Sequence, residues 1–376
     1  MAKIVEVPLN RPSFRYSIEI EEGALNKLPL LLKGKLHLSE SLPKLLLITH
    51  HNLNNLYGIK LVKTLTDAGF SVHVEQLNIG ESIKTWSSAE KLLTKMIELK
   101  MGRQGIVLAL GGGVIGDLAG FVASIYTRGI RVVQLPTTLL SMVDSSIGGK
   151  TGVNLGLSGK NLVGAFHQPC LVVSDLATLH SLPELEWKHG LSEVLKYSFI
   201  KEDGGLFHKW LSDNKASIVT RSNYQTIEHM IAECAKSKAL VVSKDEFETG
   251  DSRIMLNLGH TFGHSLEAAS RYRIAHGEAV SIGICLAARL GLKLNKIPSG
   301  VFEAIINQVK SYGLPYFIEK KFGFTPTELI RHFEYDKKSE GNTVKFIVPS
   351  GTIGRCEVVK NVSEEMLKDV FSDSIY

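Results

Sequence analysis

Three histidines gather in the stretch LNLGHTFGHSLEAASRYRIAHGE, at positions 260, 264 and 276. His260 and His264 are four apart in a run of helical period, so both imidazoles share one helix face at a spacing that metal ligands use. His276 follows, with a glutamate and a new helical run behind it. Imidazoles without a cysteine point to a catalytic centre, in which a zinc-type ion takes three nitrogen or oxygen ligands and keeps one position open. A candidate carboxylate lies in HGLSEVLKY, where Glu193 and Lys196 are three apart on one helical face. HTFGH lacks the glutamate of H-E-x-x-H metallopeptidases, which removes the main support for peptide hydrolysis.

Two glycine-rich segments add anion-binding chemistry. GGGVIG, from Gly111 to Gly116, follows a strand-like run and opens a helix-like one. Its glycines let the backbone approach a pyrophosphate, and the helix N-terminus presents oriented N–H groups. The next strand ends in LPTT, with no acid placed for a ribose. SIGGKTGVN imitates a phosphate loop, but a Walker motif requires glycine where Asp144 stands. What remains is a glycine-rich turn presenting Lys150 beside a carboxylate, suited to an anionic substrate.

These residues need elements to hold them. KLLLITH, FSVHVEQL, GIVLALGGG and IRVVQLPTT read as buried strands, alternating with the helical runs WSSAEKLLTKMIELK and VIGDLAGFVASIY. Such β/α alternation predicts a Rossmann-like, mostly parallel sheet with a nucleotide at the carboxyl ends of its strands. Beyond about Leu176 the period becomes helical, in LPELEWKHGLSEVLKYSFIK, YQTIEHMIAECAKSKALVVSKD, HTFGHSLEAASRY and GEAVSIGICLAARLGLKL. One late exception, NTVKFIVPSGTIGRCEVV, reads as a hairpin. The expected organisation is an α/β nucleotide-binding domain over residues 1–178 and an α-helical metal- and substrate-binding domain over 179–376, with the active site in the cleft between them.

The bulk properties narrow the class. A chain of 376 residues exceeds the size at which one core keeps growing, so two domains are expected. A net charge of +5, with bases and acids interleaved, gives no clustered footprint for nucleic acid. The longest apolar run, AVSIGICLAARLGL, is too short for a bilayer and is broken by an arginine. The first residues carry charges and prolines where a signal peptide would be apolar. The four cysteines form no C-x-x-C pair, as suits free thiols in a reducing compartment. A soluble, cytoplasmic enzyme is expected.

GGGVIGDLAGF, YTRGI, LPTTLLSMVDSSIGGKTGVN, GKNLVGAF, SEVLKY, LNLGHTFGHSLE, HGEAVSIG and DKK together resemble, in that order, the motifs of the 3-dehydroquinate synthase family. The resemblance implies an N-terminal nucleotide-binding α/β domain, a helical C-terminal domain and a homodimer. It implies conversion of 3-deoxy-D-arabino-heptulosonate 7-phosphate to 3-dehydroquinate and phosphate, with NAD and zinc or cobalt. The route would be transient oxidation at C5, β-elimination of phosphate, reduction, ring opening and aldol closure.

The same resemblance implies site roles. Glu193, His260 and His276 would hold the metal, with His264 transferring protons and Glu248 in an acid/base role. Asp144, Lys150, Asn161, Lys196, Lys238, Arg253, Asn257 and Lys337 would form the substrate shell, and Arg128 would reach the phosphate from the partner subunit. Lys150, Lys196, Arg253 and Asn257 would also serve the chemistry. NAD would lie along Gly112, Gly113, Val114, Asp117, Thr137 and Thr138, with Asn52, Glu81, Lys84, Lys160 and the Thr178 region completing its site. Two positions depart from the family pattern: His50 stands where an aspartate is usual, and His189 where a smaller polar residue is common. The competing readings are a sister sugar phosphate cyclase, a metal-dependent NAD alcohol dehydrogenase, and a binding protein that has kept the fold without turnover.

Overall fold

The computed structural model describes residues 14–38, 41–156, 159–250, 253–333 and 343–376. Its first half is built on a six-stranded sheet, in the order β1-β8-β5-β4-β2-β3. The strands are β1 (Ser17–Glu21), β2 (Lys44–His50), β3 (Ser71–Leu77), β4 (Ile106–Gly111), β5 (Arg131–Pro136) and β8 (Leu171–Asp175). Every pairing in this sheet is parallel, with Leu45 of β2 set against Val72 on one side and Ile106 on the other.

The near-continuous apolar runs of β2 and β4 follow from burial on both faces. Along β4 the residues alternate between two cores, Val107 and Ala109 on one face and Ile106, Leu108 and Leu110 on the other. The helices Trp86–Glu98 and Gly113–Ile125 cover the first face, while Leu28, Leu32, Leu61 and Leu65 pack on the second. Thr85 starts the Trp86–Glu98 helix by accepting the Ser88 N–H at 3.2 Å, satisfying a donor that the first turn leaves open. At the far end of the sheet, Asp175 accepts N–H bonds from Gly23 at 2.7 Å and Leu25 at 2.9 Å, tying the segment after β1 to β8.

An antiparallel ribbon, β6 (Lys150–Leu155) with β7 (Gly159–Phe166), rides on the Gly113–Ile125 helix. Any side chain at Gly120 would run into Thr151 of this ribbon, so the close approach depends on that glycine.

After β8 the chain is helical, with helices Glu184–Ile200, Leu206–Thr220, Tyr224–Lys244, His260–Ala269, His276–Lys293 and Ser299–Ser311 around a third core that includes Trp187, Tyr197, Phe262 and Leu286. The late hairpin is present as antiparallel β9 (Phe346–Pro349) and β10 (Cys356–Val359), with β9 against the His276–Lys293 helix. Among the described residues no helix is long and apolar enough to cross a membrane.

One close contact brings the helical half onto the sheet's carboxyl ends. Gly190 seats the Glu184–Ile200 helix directly on Leu139, just beyond β5. The chain leaves β2 for β3 on one side and β4 for β5 on the other, so the loops leaving β2 and β4 diverge and open a crevice at the strand ends.

Candidate active site

Glu193, His260 and His276 converge. Glu193 sits mid-helix and fully buried, while each histidine is the first residue of its helix. The donor atoms of the three side chains lie within 4.8 Å of one another. His260 Nε2 and His276 Nε2 each stand 3.5 Å from Glu193 Oε1. Two ligands on one tetrahedral zinc, with bonds of about 2.1 Å, stand about 3.4 Å apart, so these separations suit a shared ion.

The hydrogen-bond pattern points the same way. His260 Nδ1 lies 3.3 Å from the Leu258 carbonyl, and His276 Nδ1 lies 3.3 Å from Glu267 Oε2. Each acceptor draws the ring proton to Nδ1, which turns an Nε2 lone pair toward Glu193. Both Glu193 oxygens are buried without a well-directed donor; Lys196 Nζ is 2.5 Å from Oε2 but off the bonding direction. A buried carboxylate facing two imidazole nitrogens is the donor set of a divalent cation, once the ion has displaced the His276 proton. A second trio, His264, Glu267 and His276, also brings its donor atoms within 4.8 Å. It needs the Nδ1 side of His276, and a neutral imidazole has a single lone pair.

Charge is tightly arranged here. Burial would raise the Glu193 carboxyl, but Lys196, His260 and His276 hold it well below the usual range. Burial pulls His260 down to about 3, against the attraction of Glu193. Burial also pulls on His276, yet the carboxylates of Glu193 and Glu267, one facing each ring nitrogen, outweigh it and lift the ring to about 9. The cluster without metal therefore carries its imidazolium on His276.

Beside it lies a lysine and carboxylate network. Asp144 Oδ1 is 3.0 Å from Lys238 Nζ, 3.8 Å from Lys196 Nζ, and accepts the Tyr197 hydroxyl at 2.6 Å. Burial acts to raise Asp144, but Lys238 and then Lys196 bring it down to about 2. Arg253 is buried, donating to the carbonyls of Glu246 at 2.7 Å and Gly148 at 3.1 Å. Lys150 is exposed and rests on Glu248 Oε2 at 2.6 Å. His264 is exposed, its ring 5.6 Å from that of His260. Asn257 closes the 3-10 turn Arg253–Asn257 just ahead of His260, half-buried.

A cavity of ≈ 610 Å³ joins Asp144 and His276 to the sheet, with Lys196, Lys238 and Arg253 behind its wall. Its walls include Gly112, Gly113, Val114, Asp117, Thr137, Thr138, Asn52, Glu81 and Lys84 at the strand ends, then Asp144 and Asn161, and finally His276. Gly112 and Gly113 form the turn that opens the Gly113–Ile125 helix, and no side chain caps its N–H groups. Methyls there would crowd Thr138 Cγ2 at 3.1 Å and Ser145 Oγ at 3.0 Å. Lys84 is buried and donates to Asp117 Oδ2 at 2.6 Å and Asn161 Oδ1 at 2.5 Å.

Thr178 does not line this cavity, and Arg128, expected to act from the partner subunit, stands outside it. Thr178 is buried and donates its hydroxyl to the Asp175 carbonyl at 2.8 Å; Ser181, Leu182 and Pro183 line the cavity instead. Arg128 is exposed on the turn before β5, outside the cavity, where Thr127 and Arg128 both adopt left-handed φ values of 45° and 69°. Lys337 and the side chain of Lys160 lie outside the described residues.

The structure also adds residues that the motifs did not single out: Glu267 behind His276, Tyr197 on Asp144, and Asn154, whose Nδ2 donates to Glu81 at 2.8 Å. Glu267 carried a signal, since it continues the helix face of His260 and His264. Asn154 carried none, because its role comes from the ribbon lying beside Lys84.

Residues 74–189 match the family model described as 3-dehydroquinate synthase N-terminal, and residues 190–339 the one described as 3-dehydroquinate synthase C-terminal. The 3-dehydroquinate synthase of Desulforamulus reducens is 42% identical over 330 residues, covering 88% of this chain and 90% of its own. That of Colwellia psychrerythraea is 40% identical over 356 residues, covering 94% and 96%. Among solved structures, a 2-epi-5-epi-valiolone synthase from Streptomyces hygroscopicus with NAD+ and Zn2+ bound has a TM-score of 0.86 at 24% identity, covering 98% of this chain and 99% of that one. A 2-deoxy-scyllo-inosose synthase complexed with carbaglucose-6-phosphate, NAD+ and Co2+ has a TM-score of 0.82 at 24% identity, covering 96% and 97%. At those identities the likeness is one of fold.

Proposed function

The chain belongs to the 3-dehydroquinate synthase family, and from that premise we propose that the cavity between the Gly112–Val114 turn and His276 is its active site. Its activity is the conversion of 3-deoxy-D-arabino-heptulosonate 7-phosphate to 3-dehydroquinate and phosphate. One observation carries the site assignment. His276 belongs to the metal-type trio and also lines the cavity that the glycine turn opens, so cofactor and ion face one substrate.

Gly112, Gly113 and Val114 offer backbone N–H groups to a pyrophosphate, and Asp117, Thr137, Thr138, Asn52, Glu81 and Lys84 complete the NAD pocket. Glu193, His260 and His276 hold one divalent ion, zinc or cobalt. When bound, NAD supplies a reversible hydride acceptor and the ion a Lewis acid for the C5 alcohol. Lys196 and Lys238, fixed by Asp144, present buried cations to the leaving phosphate, where preorganised charge is most effective. Lys150 rests on Glu248 until phosphate displaces that carboxylate. Arg253, Asn161 and Asn257 position the sugar acid, and His264, beside His260 yet open to solvent, moves protons at the mouth.

Residues 1–178 and 179–376 act as the cofactor half and the metal and substrate half. We also assign the chain to a cytoplasmic homodimer. Four free cysteines and the placement of Arg128 outside its own cavity support that reading.

The test follows phosphate release from the heptulosonate phosphate by chelator-stripped protein with NAD, before and after zinc. No release before zinc and a restored rate after it are expected, without net NADH. Equal rates in both states would remove the metal assignment, and accumulating NADH without phosphate would favour an alcohol dehydrogenase.

A further inference from the structure

The strand beside the glycine turn ends in an imidazole. β2 pairs with β4, and β4 delivers the Gly112–Val114 turn. In doubly wound sheets the pyrophosphate lies on the glycine turn and a ribose at the end of the adjoining strand. An acid there accepts the 2′-hydroxyl of NAD, and an arginine accommodates the 2′-phosphate of NADP. In this chain the strand end reads His50, His51, Asn52, and both His50 and Asn52 line the cavity.

His50 Nδ1 accepts the Leu53 N–H at 3.4 Å, capping the short helical turn that follows β2. With Nδ1 engaged as an acceptor, the neutral ring carries its proton on Nε2. Burial, with His51 beside it, keeps His50 below the usual imidazole range and so neutral at pH 7. His51 is itself exposed and paired through Nδ1 with Gln76 Oε1 at 2.7 Å. The carboxylates of this cavity are placed differently. Glu81 is exposed and bonded to Asn154, Asp117 is bound to Lys84, Asp144 to Lys238, and Glu186 lies 3.6 Å from His189.

Resting on the reading of this cavity as a dinucleotide site, we propose that His50 sets selectivity at the adenosine ribose, as a neutral donor that admits a 2′-phosphate. A ribose hydroxyl and a phosphate oxygen can both accept from Nε2–H, whereas a carboxylate at this position would repel the phosphate.

The test is equilibrium titration of the zinc-loaded protein with NAD+ and with NADP+ by calorimetry, in wild type, His50→Asp and His50→Gln. NADP+ should bind wild type within about thirtyfold of NAD+, and His50→Asp should widen that ratio at least about tenfold by weakening NADP+. His50→Gln, which keeps a neutral donor, should leave the ratio near the wild-type value. A wild-type gap wider than thirtyfold, or a ratio that His50→Asp does not move, overturns the proposal. Failure of either dinucleotide to bind wild type overturns the cofactor reading beneath it.

Discussion

Glu267 Oε2 faces His276 Nδ1 at 3.3 Å while Glu193 Oε1 faces Nε2 of the same ring at 3.5 Å. The imidazole is thus held between two carboxylates, one oriented to share a cation and one to fix the tautomer. Outer partners of this kind typically contribute 10- to 100-fold in metal affinity, on the order of the effect expected here. Glu267→Gln should therefore weaken zinc binding by about 10- to 100-fold. Competition against a chromogenic chelator measures this, and an unchanged affinity would mean that Glu267 does not orient the ring.

Zinc binding should also depend on pH with a defined sign. His276 is lifted to about 9 in the metal-free protein, so below that pH the ion must displace its proton. His260, pulled down to about 3, is already neutral and adds no dependence near neutrality. Zinc affinity should rise about tenfold per pH unit between pH 6 and 8, with one proton released per ion. Stability of the metal-free chain runs the other way. The raised His276 contributes fully below the unfolded value of about 6.5, and that contribution is lost as pH climbs through about 9. Calorimetry in buffers of differing ionisation heat counts the proton; a flat profile would contradict the charge assignment.

Asp144 is the shared counter-ion of Lys196 and Lys238, and also accepts the Tyr197 hydroxyl. Asp144→Asn should leave two buried ammonium groups short of charge. A loss of about 3–5 kcal/mol at pH 7 is expected, as for other broken buried pairs, together with loss of turnover. The depressed carboxyl contributes above the unfolded value of about 3.9 and loses that contribution as pH falls through about 2. The gap between wild type and variant should therefore narrow as pH is lowered from 7 toward 3. Urea unfolding at both pH values checks it, and a gap that is constant across the range would show that the charge of Asp144 is not what stabilises the network.

The sequence revealed features governed by local period and missed those set by packing at a distance. The runs KLLLITH and GIVLALGGG read as buried strands because β2 and β4 are covered on both faces, and the sheet is parallel as expected. The β6–β7 ribbon was not legible, since SIGGKTGVN reads as a turn until Lys150 is paired with Phe166. In the candidate site the spacing of His260 and His264 suggests a shared ion, with His276 and Glu193 as further candidate ligands, and the resemblance takes His264 out of that set. Spacing along one helix cannot anticipate two helix starts meeting a third helix. Thr178 shows the same limit from the other side, its hydroxyl being satisfied within its own turn.

His260 and His276 come together because glycines let their helices touch. Their helices meet backbone to backbone: Gly283 has no room for a side chain against the Gly259 carbonyl, and a methyl on Gly263 would lie 3.1 Å from the Ala279 carbonyl. Gly259 also adopts φ 81°, a left-handed turn that starts the His260 helix. Gly283→Ala must push the two helices apart, because the obstructing atom is backbone and cannot rotate away. Overpacking of this kind costs about 1–3 kcal/mol, and the displacement falls on His260 and His276, the two histidines proposed to hold the ion. The variant should melt lower than wild type and bind zinc at least about tenfold more weakly, since ligand geometry tolerates only tenths of an ångström. Gly300→Ala, at a glycine with open space around the added methyl, serves as the control and should change neither quantity. If Gly283→Ala melted lower yet bound zinc as wild type does, the helix contact would support the fold without setting the metal geometry.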